Sequence, residues 1–471
     1  MIPGSRLPGA TPALALGLVF AGLALGIGLV VQPGAVIPLT IEAATLFVLS
    51  AFVLKLESNE ETRRWVWGLF AAAVSLRFGA LLLVHFWLSP YFFAPDAWGY
   101  EQTGVLLSNY WSGRGVFPAA LSGHWQVAYA YINGFFVFTL GEASIGAAVM
   151  NTFVGSWTAV VTFYLAREVM GVLAGRVAGV LTAIFPSLVL WSVLNIRDAL
   201  ATFLVVLTTW LAVRIYRSPR LREIVLLVFL LVAMSSLRDY MALLVFVGTL
   251  VGWALALRPG RFASTLAVGT GVAILAAFGA DQLGLFSTVP LDNPVESMAG
   301  MREALQQGAT SAYGQEYETE TFAGALVFLP IGLSYLLLAP FPWRVETALQ
   351  ATAVPEAFLW YLLLPITAWG IGYAVRRGNS PALVALGIAA VVVTCYALVE
   401  GNFGTAFRHR AQIVPVLFVF TATGLVLLRQ RWEARRRSSR QRWQSLAVRP
   451  VLPRSPRPPV DSAIGDSRGV S

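Results

Sequence analysis

The chain has 471 residues, 57% of them hydrophobic and only 12% charged, where an ordinary soluble domain carries roughly 25% charged residues. With a mean hydropathy of +0.71, this composition excludes a water-soluble enzyme and requires a bilayer as solvent for most of the chain. The single cysteine, Cys395, excludes an internal disulfide and a cysteine-built zinc cage.

From the start of the chain, Pro12 to Val31 carries no charge. At 1.5 Å per residue such a run reaches about 30 Å, the thickness of the hydrocarbon core. It predicts a first spanning helix rather than a cleaved signal, because it is long, has no clear small-residue cleavage site and is followed by many similar runs. Further spans are predicted at Ile37 to Leu54, Trp65 to Leu88, Ala143 to Ala166, Val177 to Val193, Ala199 to Val213, Ile224 to Ser236, Met241 to Leu257, Phe262 to Ala280, Phe358 to Val375, Pro381 to Val399 and Ile413 to Leu428. Two apolar stretches remain, Val127 to Leu140 and Phe322 to Leu338.

Arginine sets the orientation, since Lys and Arg are retained on the cytoplasmic side. The clusters Lys55/Arg63/Arg64, Arg167/Arg176, Arg214/Arg217/Arg220/Arg222, Arg258/Arg261, Arg376/Arg377 and the tail are assigned inside. Counting crossings between them then makes the two remaining stretches re-entrant or interfacial. The expected fold is all-α and polytopic, with about twelve spans, both termini cytoplasmic and the protein in the plasma (inner) membrane. If both stretches crossed, the count would be fourteen and the arginines around Arg217 would lie outside.

This parity places Ser89 to Gln126, Leu194 to Asp198, the joint at Arg238 and Asp239, and Glu400 to Arg410 on the outer face. Between Asp281 and Thr321 seven acids face only Arg302, so this stretch of net charge −6 reads as an external loop too short for a domain. From Arg429 to Ser471, eleven arginines stand against Glu433, Asp461 and Asp466, so this tail holds +8 of the formal net charge of +9. Next to a span it reads as a cytoplasmic anchor for anionic lipid rather than a nucleic-acid arm. Its Pro-, Ser- and Arg-rich end, Pro450 to Ser471, reads as disordered.

Candidate chemistry collects on the outer rim. Asp96 follows Pro95 just beyond a long span and stands where an N-cap would, with Tyr100 one turn further on the same face and Glu101 turned partly away. Asn195-Ile196-Arg197-Asp198 and Arg238-Asp239 put charged pairs at two junctions between apolar runs, where they need each other or a wet cavity. Glu400-Gly401-Asn402-Phe403-Gly404-Thr405-Ala406-Phe407-Arg408-His409-Arg410 breaks the inside rule for arginine, so an external anion should compensate it. A phosphate fits, because a guanidinium binds it through paired hydrogen bonds, and amides at the start of the last helix would add attraction. The three histidines, His85, His124 and His409, lack the spacing of a zinc pair, and no Gly-x-Ser-x-Gly or Walker loop is present. Arg77, within a span, needs a partner that the sequence does not disclose, and Glu42 is a second intramembrane charge.

The chain resembles the GT-C superfamily of membrane glycosyltransferases, which includes protein O-mannosyltransferases and lipid A aminoarabinose transferases. The resemblance runs from Arg77 to Arg429 and rests on the order of Pro95-Asp96-Ala97-Trp98-Gly99-Tyr100, Ala166-Arg167-Glu168, Gly175-Arg176-Val177-Ala178-Gly179, Phe185-Pro186-Ser187, Arg197-Asp198-Ala199, Phe341-Pro342-Trp343 and Arg408-His409-Arg410 with Pro415. It implies a membrane catalytic region at residues 77–430, including outer loops 89–126 and 281–321, preceded by N-terminal spans at 1–76 and followed by the tail at 431–471. It further implies sugar transfer from a polyprenyl-phosphate donor to a glycan, lipid or protein acceptor on the outer face. Asp96 would be the base or acceptor-orienting acid and Asp198 a second acid near it. Arg408, with Arg410, would hold the donor phosphate, and Tyr100, Glu101, Arg197, Arg238, Asp239 and His409 would line the substrate site. Several relatives have an adjacent Asp-Glu pair where this chain has Asp96-Ala97, and the only lysine, Lys55, is assigned inside, so arginine must replace any lysine contact to phosphate. No cofactor is certain from the sequence, and a divalent metal stays open without a residue pattern to support it. The rival classes are a lipid-linked glycan polymerase or ligase, and a flippase or secondary transporter with charges at mid-bilayer depth.

Overall fold

The computed structural model describes residues 36–122, 127–141, 145–257, 269, 293–307, 309 and 311–447. The expected spans at Pro12 to Val31 and, apart from residue 269, Phe262 to Ala280, His124-Trp125, the first part of the acidic loop and the tail beyond 447 lie outside the described residues.

The described chain is helical: α1 (Val36–Lys55), α2 (Glu60–Phe86), the short α3 (Pro90–Phe93), α4 (Ala97–Trp111), α5 (Ala128–Leu140) and α6 (Gly146–Met170). Then follow α7 (Val172–Ile184), α8 (Pro186–Trp191), α9 (Asp198–Arg217), α10 (Leu221–Ser235), α11 (Asp239–Leu255) and α12 (Pro294–Gln306). The last four are α13 (Phe322–Leu338), α14 (Ala348–Arg376), α15 (Ser380–Val399) and α16 (Phe403–Ala447). Six of these, namely α2, α6, α9, α14, α15 and α16, are long and apolar enough to cross a membrane. The two stretches left over by parity are α5, of 13 residues, and α13, of 17. At 1.5 Å per residue they reach about 20 and 26 Å, short of a full hydrocarbon core.

Polar side chains start several helices where the sequence offers them. Asn59, Thr321, Thr347 and Asn379 each accept a hydrogen bond from a first-turn amide. One expected span differs. Val177 to Val193 is divided at Phe185-Pro186 into α7 and α8, because Pro186 has no N–H to continue the ladder. A second difference concerns the last span, whose helix begins at Phe403, so that Arg408, His409 and Arg410 sit inside it rather than before it.

The core lies where α2, α6, α7, α9, α11, α15 and the first part of α16 meet. Helices α11 and α15 cross at glycines: a Cβ built on Gly252 would stand 2.4 Å from the Val384 carbonyl oxygen, and one on Gly387 2.3 Å from the Gly252 Cα. The bundle has two chemically distinct ends. At one, Arg167 pairs with Glu57 (3.6 Å), Arg176 with Glu61 (2.6 Å), Arg214 with Glu223 (2.7 Å) and Arg217 with Glu168. Asn151, sixteen residues before Arg167 on α6, belongs to the other end, a separation of about 24 Å along the axis. Residues Leu427–Ser471 form a separate unit, whose described part holds an Arg429–Glu433 pair at 2.8 Å.

Candidate active site

The end of the bundle opposite the arginine-rich clusters gathers the charged groups of four separate chain segments. Arg408, from α16, donates through Nη1 to Asp96 Oδ1 at 3.0 Å and through Nη2 to Asp96 Oδ2 at 3.1 Å, a two-pronged pair. The same Nη2 donates to Asp198 Oδ2 at 2.5 Å. Asp198 Oδ1 accepts from Arg238 Nη2 at 3.1 Å and from Gln412 Nε2 at 2.7 Å. Arg408 and Gln412 are four residues apart, so one helix face presents both to the same carboxylate. The Asp198 side chain is 2% exposed and that of Asp96 43%. Asp198 is thus enclosed, and Asp96 is the acid that solvent reaches.

The polar chain continues past Arg238, which also donates to Tyr240 Oη at 2.9 Å and to His409 Nε2. A guanidinium has no acceptor, so His409 Nε2 is the acceptor and its proton resides on Nδ1, which donates to Glu400. Glu400 also accepts from Thr405 at 2.6 Å, and His409 stacks on Tyr396, whose hydroxyl donates to Gln412 at 2.7 Å. Asp96, Arg408, Asp198, Arg238, His409 and Glu400 therefore form one continuous relay.

The Ser192 to Arg197 link that delivers Asp198 is held from within. Asn151 Nδ2 donates to the carbonyls of Leu194 and Ile196, both at 2.8 Å, and to Tyr129 Oη at 2.9 Å. Tyr129 donates to Asn195 Oδ1 at 3.0 Å, and Asn195 donates to Asn133 at 2.7 Å. The sequence does not mark Asn151, Asn133, Gln412 and Tyr396; their spacing to the charged residues along α6, α5, α16 and α15 becomes meaningful only once the helices are packed.

The other expected site residues divide. Tyr100 packs edge-on against Tyr129 at 4.9 Å, and burial pushes its phenol up despite the nearby Arg197 and Arg238 guanidinium groups, so it keeps its proton. Glu101 accepts from Tyr91 at 2.6 Å, a bond that, with burial, pushes the tyrosine up to about 12. Arg197 donates to the Leu237 carbonyl at 2.8 Å, and its Nε has no hydrogen-bond partner. Asp239 opens α11, and its side chain lies outside the described residues.

Arg410 is directed elsewhere: it donates to the carbonyls of Leu337 at 3.2 Å and Ala339 at 2.7 Å and faces Glu356 at 3.7 Å. Two further local expectations change. Asp96 stands at the N-cap of α4 but makes no capping bond, its carboxylate being taken by Arg408. At the start of α16 the Gly404 amide donates to Asn402 at 2.9 Å and the Phe403 amide to the Ser311 carbonyl at 3.1 Å, so neither is offered to an anion.

Two cavities meet at Arg408. A polar one of about 500 Å³ is lined by Asp96, Arg197, Arg238, Tyr240, Glu400 and His409, with Met301, Ala304 and Leu305 of α12 along one side. An apolar one of about 470 Å³ is lined by Phe93, Pro186, Trp191, Leu349, Leu359, Phe403 and Phe407. Arg408 and Thr405 belong to both walls. Among the described residues, no group of three His, Cys, Asp or Glu side chains could hold a metal ion.

No family model matches the chain, and no curated protein matches it either. Among solved structures it is similar to the archaeal oligosaccharyltransferase AglB from Archaeoglobus fulgidus in complex with an inhibitory peptide and a dolichol-phosphate, at a TM-score of 0.47 and 14% identity, over 81% of this chain and 52% of that one. The Archaeoglobus fulgidus oligosaccharyltransferase tethered to an acceptor peptide gives a TM-score of 0.45 at 15% identity, over 78% of this chain and 50% of that one. The chain thus spans about half the length of the solved structures it matches.

Proposed function

We propose that the protein is a membrane glycosyltransferase that moves a sugar from a polyprenyl-phosphate carrier to an acceptor on the outer side of the membrane. The observation that carries this reading is one guanidinium, Arg408, shared by an exposed and a buried carboxylate on the common wall of a polar and an apolar cavity. A lipid-linked phosphate needs an apolar surface for its chain and a cation at the edge of that surface for its head. The motif order that resembles GT-C enzymes points to the same chemistry.

In this reading Asp198, Arg238 and Gln412 hold Arg408 in place, and the donor phosphate competes with Asp96 for the two donors that Arg408 gives it. Loading the donor thereby releases the Asp96 carboxylate to accept a proton from the acceptor hydroxyl as that oxygen attacks the sugar carbon. The C–O bond to the carrier breaks, and the electron pair stays on a phosphate whose added charge Arg408 and Arg197 stabilise. Arg410 takes no part in donor binding here, since its donors serve the end of α13.

The test is incubation of purified protein in lipid with a panel of polyprenyl-phosphate and polyprenyl-diphosphate sugars, followed by assay of free carrier phosphate and glycosylated acceptor. Release from a monophosphate carrier supports the proposal, and release from a diphosphate carrier with chain growth identifies a polymerase or ligase. Absence of release from every donor, with the sugar lipid crossing the bilayer, overturns it in favour of a flippase.

A further inference from the structure

The break at Phe185-Pro186 leaves backbone groups that a continuous helix would satisfy. In an unbroken helix the Thr182 and Ala183 carbonyls would accept from the amides of residues 186 and 187. Pro186 has no amide hydrogen, and the Ser187 amide donates instead to Glu356 Oε2 on α14, at 2.5 Å. Arg77, reaching in from α2, takes both orphaned carbonyls: Nη1 donates to Ala183 at 2.9 Å and Nη2 to Thr182 at 3.2 Å. Its Nε donates to Ser192 Oγ at 2.9 Å, beyond the far end of α8. Gly155 on α6 leaves the room, since a Cβ there would stand 2.5 Å from Ser192 Cβ and 2.9 Å from Arg77 Nε. Arg77 and Glu356 are 1% and 4% exposed, so none of these groups can turn to water instead.

We infer that Arg77 and Glu356 are a pair of positioning residues that splice the broken α7–α8 helix and thereby aim the Ser192 to Asp198 link into the active site. The two act on opposite halves of the same defect, the arginine on the freed acceptors and the carboxylate on the freed donor. The spliced segment is also a wall of the apolar cavity. Pro186, Ser187 and Trp191 line the apolar cavity, and a void of about 10 Å³ bounded by Arg77, Ser192, Asp198 and Arg408 joins the splice to the relay. Arg410, about 200° around α16 from Arg408, faces Glu356 at 3.7 Å.

The catalytic consequence rests on the glycosyltransferase reading, but the splice itself does not, and the experiment separates them. Hydrogen exchange by mass spectrometry on full-length protein in lipid should show faster exchange in peptides covering 186–197 for Glu356→Ala and Arg77→Met, with α9 and α16 unchanged. Glu356→Gln, which keeps an acceptor for the Ser187 amide, should exchange there as the native protein does. In the transfer assay Glu356→Ala should lower kcat by about 10-fold or more with KM changed less than about 2-fold, as misplacement of a reacting group does, and Glu356→Gln should restore most of it. If Arg77→Met does not insert into the membrane, the Glu356 pair decides alone. Unaltered exchange at 186–197 in Glu356→Ala, or a Glu356→Gln defect as deep as that of Glu356→Ala, overturns the inference. A native protein inactive on every donor overturns the functional reading and leaves the exchange result to judge the splice.

Discussion

Asp96 and Arg408 touch, and each therefore reports on the other. Asp96→Asn should lower transfer by about 10² to 10⁴-fold, the range of a lost general base, with expression and membrane insertion unchanged; native-like turnover would remove the carboxylate from the chemistry. Arg408→Ala should weaken use of the donor more than use of the acceptor, read as separate KM values, and an equal loss in both would indicate a folding defect. The sequence makes Asp96, Asp198, Arg238 and Arg408 legible as candidates because charge at the junctions of apolar runs is costly and stands out. It does not separate Arg408 from Arg410. Side chains two apart on a helix point about 200° from each other, so the two arginines part company as soon as α16 is known to begin at Phe403. The partner of Arg77 was illegible for a different reason: it is a set of backbone carbonyls, which every residue possesses and no pattern marks.

At the scale of elements, the close crossing of α11 and α15 depends on the missing side chain of Gly252. Gly252→Ala brings a methyl carbon against the Val384 carbonyl and should cost about 1–3 kcal/mol, as overpacking does, seen as a lower midpoint of thermal unfolding in detergent. Gly300→Ala on α12, where a Cβ would meet nothing within 4 Å, serves as the control and should not lower it. Most helix positions follow from the apolar runs, whose ends shift by a few residues: Ala143 to Ala166 becomes Gly146–Met170, and Pro381 to Val399 becomes Ser380–Val399. The division of Val177 to Val193 escapes a reading based on hydropathy because both halves are equally apolar. A proline inside a span is tolerated only where other elements supply the lost hydrogen bonds, and those elements, α2 and α14, lie more than a hundred residues away in either direction.

Across the whole molecule, Arg167, Arg176, Arg214 and Arg217, four of the arginines that the charge rule assigns to one side, share one end of the bundle, tied by the Glu57, Glu61, Glu168 and Glu223 pairs. Which leaflet that end faces is open to direct test. In a Cys395→Ser background, which has no other cysteine, Trp98→Cys should react with an impermeant maleimide added outside intact cells. Ser58→Cys and Ser438→Cys should react only after permeabilisation; labelling of Trp98→Cys and Ser58→Cys from the same side would refute the topology. The relay residues and Arg197 comprise three carboxylates, Asp96, Asp198 and Glu400, and three guanidinium groups, Arg197, Arg238 and Arg408. Their formal charges cancel, so these six groups project little field beyond a Debye length, and the acidic stretch that contains α12 adds none that would draw in an anion. Capture of an anionic substrate cannot then rely on long-range attraction through water. For the proposed lipid-linked donor it would arise from sideways diffusion within the lipid sheet, with recognition beginning at contact.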